Sequence, residues 1–494
     1  MKKYAYLALS ATLLTSLSFS QEEVNTSYWT GNTREGTGGW GLSSVAENWS
    51  TGTIPDANTN VVFDNEYLTG EKILSIHTTS GFTCNDYTVT SNYGGHQIRV
   101  DGTMTINGDF TTQTPGTVTL LSNGSNNSAA ILNIGGSVIV GVDGDITSNV
   151  SYLNIGETTS NQWGGWGGPK NVTIGGDIIM YELGKVSFNV NLKGRTADYS
   201  NPDIDVKGLI RFEGNGSTNP NLDIINASNP YTSGDNKQYS IPVEVVLACN
   251  GITGNGVISN NSNGSIDNGP SKAILLLRND SDQYFAGWIQ DGQNCTTKIV
   301  MNGTATQYLT SVNKDPEKPT QGICFTGGLE IISGTLSMRY DHPINHGDLE
   351  MRGGKLKNDS VSSAWNVNFT NLIYEGGTIV SRWNGSNMDV ITLSGGLQKG
   401  AGFADGDKFL IEVAATDVSS LTDELVIAWD NVAQKTDFTE DDFEATYFEG
   451  YEALFNIKDD GLYLSYIAVP EPAAFAVMLG ALALGLCACR NKRK

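Results

Sequence analysis

Histidine, cysteine and proline are scarce in this chain, and so is positive charge. The 494 residues include 4 histidines, 6 cysteines and 13 prolines, and charged residues make up 17 % against a typical value of about 25 %. Cys84, Cys249, Cys295 and Cys324 form no close pair, so no zinc site is expected. We expect four buried thiols; the alternative is a disulfide between Cys295 and Cys324 in an oxidising compartment.

Sequence motifs for common kinds of catalysis are also missing. There is no G-x-S-x-G elbow, no P-loop and no Rossmann fingerprint. His342 and His346 are four residues apart, but Pro343 follows His342, so we interpret the pair as part of a turn and not as a zinc-binding helix. We therefore predict no catalytic residue and no metal ligand, and a protein that is not an enzyme.

Acidic residues dominate the charge. Without its two ends, the body from residue 21 to 468 keeps 24 basic and 52 acidic residues, a net charge of −28. Such a body repels phosphate backbones, so no nucleic-acid partner is expected. Three acidic pairs have the oxygen ligands that Ca²⁺ prefers, although such pairs more often form turns: Asp280 with Asp282, Asp405 with Asp407, and Asp441 with Asp442.

The first twenty residues have the order of a secretory signal peptide. Two lysines precede an apolar run at residues 6–17, and Ser18 and Ser20 suit a cleavage site before Gln21. The run is too short to span a membrane, which takes roughly 20 apolar residues. We predict residues 1–20 as a signal peptide and an exported protein.

The last 26 residues carry a second targeting pattern. Residues 473–489 are apolar and lead into a basic end, which predicts a single transmembrane helix with its basic end in the cytoplasm. The plain interpretation is a tail anchor. Together with the motif that precedes it, the segment resembles a PEP-CTERM sorting signal, whose motif here is Val469, Pro470, Glu471 and Pro472. The resemblance implies an exosortase-type processing enzyme as partner and a destination at the cell surface or in the extracellular matrix.

The body consists of short predicted strands that end at glycine-containing turns. Glycine accounts for 58 residues, about 12 % against a typical 7 %. Apolar, β-branched runs end at Gly-Gly or Asn-Gly turns, and Gly-Gly segments at positions 135, 175, 327, 353, 376 and 395 recur at intervals of 19 to 40 residues within each group. Such spacings are typical of a parallel β-solenoid, with Gly, Asn and Asp at corners where positive φ is needed. The alternative is a large antiparallel β-sandwich.

Two stretches resemble autotransporter-associated β-strand repeats. Residues 328–337 are similar to the repeat strand, and residues 275–289 to a companion coil. Residues 47–64 are similar to the N-terminal region of such secreted proteins, whereas residues 180–270 do not align, so regular coils are not predicted there. The resemblance implies a right-handed parallel β-helix. We predict a β-helical body over residues 21–399 and a capping β unit over 400–468, before the sorting segment 469–494. Short helical turns are predicted at 422–429 and 440–447.

Tryptophans form the only suggestive aromatic groups. Trp29, Trp40 and Trp49 are predicted to close the N-terminal end of the solenoid. Trp163 and Trp166 lie in a glycine-rich loop, and we expect them to fold onto the side of the body; the alternative is that their exposed indoles stack on sugar rings.

The sequence is compatible with three functions. The preferred one is an exported surface or extracellular-matrix protein with a structural or adhesive role and no cofactor, Ca²⁺ aside. The first rival is a carbohydrate-active β-helix, a glycosidase or lyase, which predicts that carboxylates and a lysine or arginine converge in one groove. The second is a glycan-binding module built on a sandwich. Extracellular polysaccharide is the partner that both rivals imply.

Overall fold

Short parallel β-strands make up the body in the computed structural model. The structure describes residues 25–34, 40–70, 73–78, 81–90, 95–113, 115–122, 130–144, 150–156, 169–188, 197–214, 220–224, 231–232, 238–239, 244–260, 271–292, 295–311, 322–339, 342–358, 365–429 and 436–469. The predicted signal peptide, Trp163, Trp166, Pro470, Glu471, Pro472 and the apolar tail lie outside these residues.

Strands β1 to β13 occupy the first part of the chain. In order, they are Asn25–Tyr28, Gly41–Leu42, Thr59–Phe63, Ser75–Thr78, Phe82–Cys84, Tyr87–Val89, His96–Val100, Thr103–Ile106, Phe110–Thr112, Gly116–Ser122, Ile131–Ile134, Val138–Val140 and Ser151–Ile155. Strands β14 to β27 follow as Asn171–Ile174, Ile178–Met180, Gly184–Phe188, Ile204–Val206, Ile210–Phe212, Asn221–Asp223, Tyr231–Thr232, Gln238–Tyr239, Glu244–Cys249, Ile252–Gly254, Val257–Ser259, Ser271–Leu277, Gln283–Phe285 and Trp288–Gln290.

Strands β28 to β41 complete the body. They are Cys295–Leu309, Ile323–Cys324, Leu329–Met338, His342–Asn345, Leu349–Lys357, Asn366–Phe369, Leu372–Arg382, Val390–Leu393, Leu397–Lys399, Phe409–Ala414, Glu424–Trp429, Phe443–Ala445, Tyr451–Lys458 and Gly461–Ala468. Single turns of 3₁₀ helix span Ala46–Asn48, Asn65–Tyr67 and Glu440–Asp442.

Three parallel ladders, which we call faces, run along the stack. Face 1 joins β2, β4, β7, β10, β13, β16, β19, β24, β27 and β29; a separate ladder of β31, β33, β35 and β38 takes the same place in the later coils, and we count it as part of face 1. Face 2 begins at β5 and passes through β8, β11, β14, β17, β22 and β25, and face 3 begins at β1 and passes through β3, β6, β9, β12, β15, β18, β23 and β26. One coil is therefore three strands, such as β7, β8 and β9.

Faces 2 and 3 join at the long strand β28. Its first half pairs with β25 on face 2 and its second half with β26 on face 3. Strands β30, β32 and β34 continue both faces in the same way, and the register is irregular at the change of face between β28 and β30 and between β32 and β34. The turn between faces 2 and 3 thus becomes a bend within one strand.

The parallel pairings confirm the solenoid and exclude the antiparallel sandwich. Within 180–270, where the resemblance does not align, the described strands β17, β18, β19, β22 and β24 continue the stack. The resemblance gave no alignment there because this stretch contains no Gly-Gly segment and because strand β22 is buried on both sides and so lacks the usual alternation. The helical turn predicted at 422–429 was also wrong, since strand β38 occupies Glu424–Trp429 and buries Val426, Ile427 and Trp429 in the core.

Alternation of side chains builds the core. In β12 and β15 the first and third residues point inward and are fully buried, while the central isoleucine faces outward. The same pattern in coil after coil gives one continuous apolar core from Trp29 to Tyr466. Each coil therefore depends on its neighbours to cover its interior.

At the corner between faces 2 and 3, adjacent coils approach so closely that only glycine fits. A Cβ added to Gly175 would lie 2.2 Å from the carbonyl oxygen of Gly135, and one added to Gly135 would lie 2.2 Å from that of Asn107. Backbone hydrogen bonds also link the coils at this corner: the amide of Gly176 donates to the carbonyl oxygen of Gly136, with 2.7 Å between nitrogen and oxygen. Neither Gly135 nor Gly175 has a positive φ, so the predicted reason for glycine is wrong at these two positions.

Polar side chains beside these glycines bind one coil to the next. The carboxylate of Asp86 accepts from the amide of Asp109 at 2.9 Å, and Asp109 accepts from Ser137 at 2.7 Å. Ser137 Oγ accepts from Asp177, whose carboxylate accepts from Leu209 at 2.8 Å. Short acceptors thus satisfy amides that the turn leaves without a strand partner.

Aromatic groups close the two ends of the stack. Trp29 and Trp49 are buried and meet edge to face at 4.9 Å, and their indole N–H groups donate to the carbonyl oxygens of Ile73 and Ser43 at 2.8 Å. At the other end Phe409, Phe438 and Phe443 form a buried cluster of rings. The predicted burial at this end is confirmed for Trp29 and Trp49, whereas Trp40 is only partly buried and lies outside the core cluster.

The last two strands leave the parallel pattern. Strand β41 pairs antiparallel with β38 and with β40, so a hairpin covers the open edge of face 1. Strands β36, β37 and β39, in contrast, continue the parallel stack. The boundary at residue 400 stays a prediction. Within the described ranges, no helix has the length and apolarity needed to cross a membrane.

Candidate functional site

The predicted site residues are mostly outside the described ranges. Of the sorting motif, only Val469 is described; its side chain is about half exposed, and its amide donates to the Gly450 oxygen at 2.8 Å. The two tryptophans proposed for glycan stacking, Trp163 and Trp166, remain a prediction.

One member of each acidic pair accepts a backbone hydrogen bond: Asp282 from the next coil, and Asp407 and Asp442 within a local turn. Asp282 accepts from the amide of Thr306, and Asp407 from that of Ala404, both at 2.8 Å. Asp442 accepts from both the amide and the hydroxyl of Thr439. In the described part of the chain, no three His, Cys, Asp or Glu side chains come together in a way that could hold a metal ion.

All four body cysteines are buried, and none of them forms a disulfide. Burial raises the pKa of Cys249 and Cys295 to about 12 and that of Cys324 to about 11, so these thiols stay protonated. The prediction of buried thiols is confirmed, and Cys295 and Cys324 are not bridged.

Two histidines are structural groups of the core. Nδ1 of His96 lies 2.8 Å from the Leu74 oxygen and Nε2 lies 2.9 Å from the Tyr87 hydroxyl, which places the proton on Nδ1. Nδ1 of His346 lies 2.9 Å from the oxygen of Phe325. Burial lowers the pKa of both histidines to about 4. His342 begins strand β31 and so lies in a strand, where the sequence predicted a turn.

These histidines predict a loss of stability in mild acid. The unfolded chain takes up protons at its histidines near pH 6.5, and the folded chain only near pH 4, so the stabilisation is complete above 6.5 and declines as the pH falls toward 4. We expect about 3 kcal/mol per histidine in the free energy of unfolding. Denaturant unfolding at several pH values measures it, and His346→Asn should remove about half of the decline.

Asp223 must be replaced in that experiment because it acts in the opposite direction. Burial raises its pKa to about 6, so its contribution to stability is full below about pH 3.8 and is lost as the pH rises to 6. The comparison is therefore made in an Asp223→Asn background. An equally steep decline with and without His346→Asn would contradict the prediction.

A second, smaller apolar cluster lies on the outside of face 2. Val246 and Ala248 of β22, Ile274 and Leu276 of β25, and Val300 of β28 point away from the main core and are nevertheless buried. Residues 197–203 run over them, and Ala197 and Tyr199 pack against the cluster. The coils are thus covered on both sides at this point.

Hydrogen bonds hold the covering segment to the sheet. The amide of Ala197 donates to Glu244 at 3.0 Å, and the carboxylate of Asp203 accepts from the amide of Val246 at 3.0 Å. The Tyr199 hydroxyl donates to Glu330 Oε2 at 2.9 Å. Tyr199 therefore links the segment to a group of charges that lies at the end of the apolar cluster.

The charge cluster consists of two carboxylates, a lysine and an arginine. Glu330 and Glu350 are register partners on β30 and β32, about 4.8 Å apart. Lys298 Nζ lies 2.8 Å from Glu330 and 3.1 Å from Glu350. Arg352 bonds to both carboxylates at 3.1 Å. Glu330 is only 2 % exposed, whereas Arg352 is half exposed.

The pKa shifts in this cluster favour a protonated Lys298, a protonated Tyr199 and an ionised Glu350. Burial opposes the charge of Lys298, but its hydrogen bond with Glu330 and the carboxylate charges outweigh burial and raise the pKa of Lys298 above its usual value. Burial, opposed by Lys298 and reinforced by Glu330, raises the pKa of Tyr199 to about 12. For Glu350, burial is outweighed by Lys298 and Arg352, which lower its pKa.

Such shifts suit a structural network better than acid–base chemistry. A general acid or base needs a pKa near the working pH, whereas Lys298 and Tyr199 stay protonated at neutral pH and Glu350 stays ionised. Carboxylates and basic side chains converge here as the carbohydrate-active alternative requires, but Glu330 is only 2 % exposed, and none of Lys298, Tyr199 and Glu350 has a pKa suited to a proton acceptor.

Sequence reasoning missed both the cluster and its cover. The runs 245–249 and 273–277 are apolar without alternation, which is the signal of a strand buried on both sides. Glu330 lies inside the recognised repeat strand, but only the register shows that Lys298 and Glu350 flank it. The sequence matches no protein-family model and no curated protein.

Proposed function

We propose that this chain is an exported surface or extracellular-matrix protein with a structural or adhesive role. The observation that carries the proposal is that the charges on face 2 pair with one another over a doubly covered sheet, which suits a durable scaffold. The acidic body supports solubility outside the cell. A right-handed winding of the β-helix is part of the proposal, because parallel crossovers are almost always right-handed.

Export and sorting rest on the two ends of the sequence. We propose that the signal peptide directs the chain out of the cytoplasm and that the PEP-CTERM-like tail holds it in the inner membrane until an exosortase-type enzyme cuts it. The mature body is then a cell-surface or extracellular protein. Both steps predict covalent changes that can be measured.

Changing the sorting motif should alter the mass and the location of the protein. Intact-mass analysis of protein from the surface and medium of the producing cells is expected to show an N-terminus near Gln21 and a C-terminus near residues 470–472. Glu471→Ala should leave the tail attached and the protein in the membrane fraction. Glu452→Ala, an exposed acid on β40, is the matched control and should be processed normally.

Recovery of the tail intact in the wild-type surface protein would make the apolar segment a plain anchor. Equal processing of Glu471→Ala and wild-type protein would show that the motif does not direct cleavage of the tail. Neither result depends on what the body binds.

A carbohydrate-active protein is the second candidate, favoured by the approach of Glu330, Glu350, Lys298 and Arg352. Release of unsaturated or reducing sugars from polysaccharides by wild-type protein, with loss of release in Glu350→Gln, would support it. Absence of release across acidic and neutral polysaccharides would favour the scaffold.

A further inference from the structure

Two tyrosines on neighbouring coils stack on the outside of face 3. Tyr284 of β26 and Tyr308 of β28 are register partners, with ring centroids 4.3 Å apart and planes inclined by 2°. The Lys357 ammonium lies 4.9 Å from the centre of the Tyr308 ring. Tyr308 is therefore covered by a ring and approached by a cation, whereas Tyr284 is 55 % exposed.

The coil that precedes Tyr284 has only a small side chain at the matching position. Gly254 pairs with Phe285, so Thr253 stands next to Tyr284 in the ladder, and Thr253 in turn pairs with Arg211 of β18. Coils are about 4.8 Å apart, so the backbone positions of Arg211 and Tyr284 are separated by roughly 10 Å along the stack. We call the space over Thr253, between these two positions, the slot.

Fixed polar groups form the wall of the slot opposite Tyr284. Arg211 Nε donates to Glu213 Oε1 at 2.8 Å, and a terminal nitrogen lies 2.6 Å from the same oxygen. Asp177 lies 3.6 Å from the other side of the guanidinium. Arg211 and Glu213 each remain about 40 % exposed, so they offer both donors and an acceptor to a ligand.

We propose that the slot between Tyr284 and Arg211 binds one pyranose unit of a neutral polysaccharide. The C–H face of a pyranose packs on an aromatic ring, and its hydroxyl groups reach the Arg211–Glu213 pair. The net charge of −28 on the body disfavours a polyanionic glycan. This site goes beyond the proposed function, since neither export nor the scaffold role requires it.

Affinity electrophoresis of the purified full chain tests the site. Native gels are cast with hydroxyethylcellulose, a β-1,3-glucan, a galactomannan or dextran, and with alginate as the acidic comparison. We expect retardation by at least one neutral polysaccharide and not by alginate. Tyr284→Ala should weaken that binding about tenfold, as expected for loss of one aromatic contact, and Tyr284→Phe should stay within about threefold because its ring is retained.

Tyr447→Ala is the matched control, because Tyr447 is 80 % exposed and lies near the C-terminal end of the stack. It should bind as wild type, and circular dichroism should show the same fold for all variants. Absence of retardation by every neutral polysaccharide, equal binding by Tyr284→Ala and wild type, or retardation by alginate alone would each overturn the site. The scaffold and sorting proposals would survive any of these results.

Discussion

Gly175→Ala should cost at least about 3 kcal/mol of the free energy of unfolding, as a severe case of overpacking. The added methyl group would meet the Gly135 carbonyl at 2.2 Å for its oxygen and 2.9 Å for its carbon. Both contacts are to backbone of the adjacent coil, so relief requires the coils to separate and their amide bonds across the corner to lengthen. Urea unfolding of the purified protein, followed by circular dichroism, measures the change.

Gly52→Ala is the control for the close contact at Gly175. Gly52 has a φ of +65°, and a Cβ there would meet nothing within 4 Å. It should therefore cost only the backbone strain, about 1–2 kcal/mol. A loss at Gly175 no larger than that at Gly52 would show that the coils can move apart easily and that the close approach is unimportant.

Removal of Glu330 should have an effect of similar size. Glu330→Ala leaves Lys298 largely buried and takes away one partner of Arg352 and of Tyr199, so we expect a loss of about 3–5 kcal/mol. The covering segment at 197–203 should become sensitive to protease, because Tyr199 is one of its three bonds to the sheet. Unfolding in urea and limited proteolysis are the two measurements.

A double substitution distinguishes the loss of the Lys298–Glu330 ion pair from the cost of leaving one buried charge without its partner. Lys298→Met together with Glu330→Leu removes both charges and should restore most of the stability, within about 1–2 kcal/mol of wild type. Glu412→Ala breaks the exposed pair with Lys355 and should change stability by less than about 1 kcal/mol. Equal effects of Glu330→Ala and Glu412→Ala would mean that the cluster is no more than a surface network.

Periodicity in the sequence was enough to predict a stack of short strands. Inward valines and isoleucines alternate with polar residues, and glycine pairs recur where faces 2 and 3 meet, as at Gly135 and Gly175. The exclusion of the sandwich needed the register, since alternation is the same in parallel and antiparallel strands. The end plug at Trp29 and Trp49 was predictable because large apolar residues near a terminus have to cover an open coil.

The candidate surfaces could not be predicted in the same way. Glu330, Glu350 and Lys298 lie 20 or more residues apart in sequence and become neighbours only through the length of each coil, which varies along this chain. Tyr284 and Tyr308 meet for the same reason. A residue's neighbour in a solenoid is set by the number of residues in the intervening turns, and those numbers follow no local rule.

The four buried cysteines give the stack an internal set of reporters. Cys84, Cys249, Cys295 and Cys324 stand at different heights in the core, and each is unreactive while its coil is closed. A thiol reagent can label one of them only when the coil around it opens, so the four labelling rates measure four separate opening free energies. The chain thereby records, without any introduced probe, whether it opens from its ends inward or as a single unit.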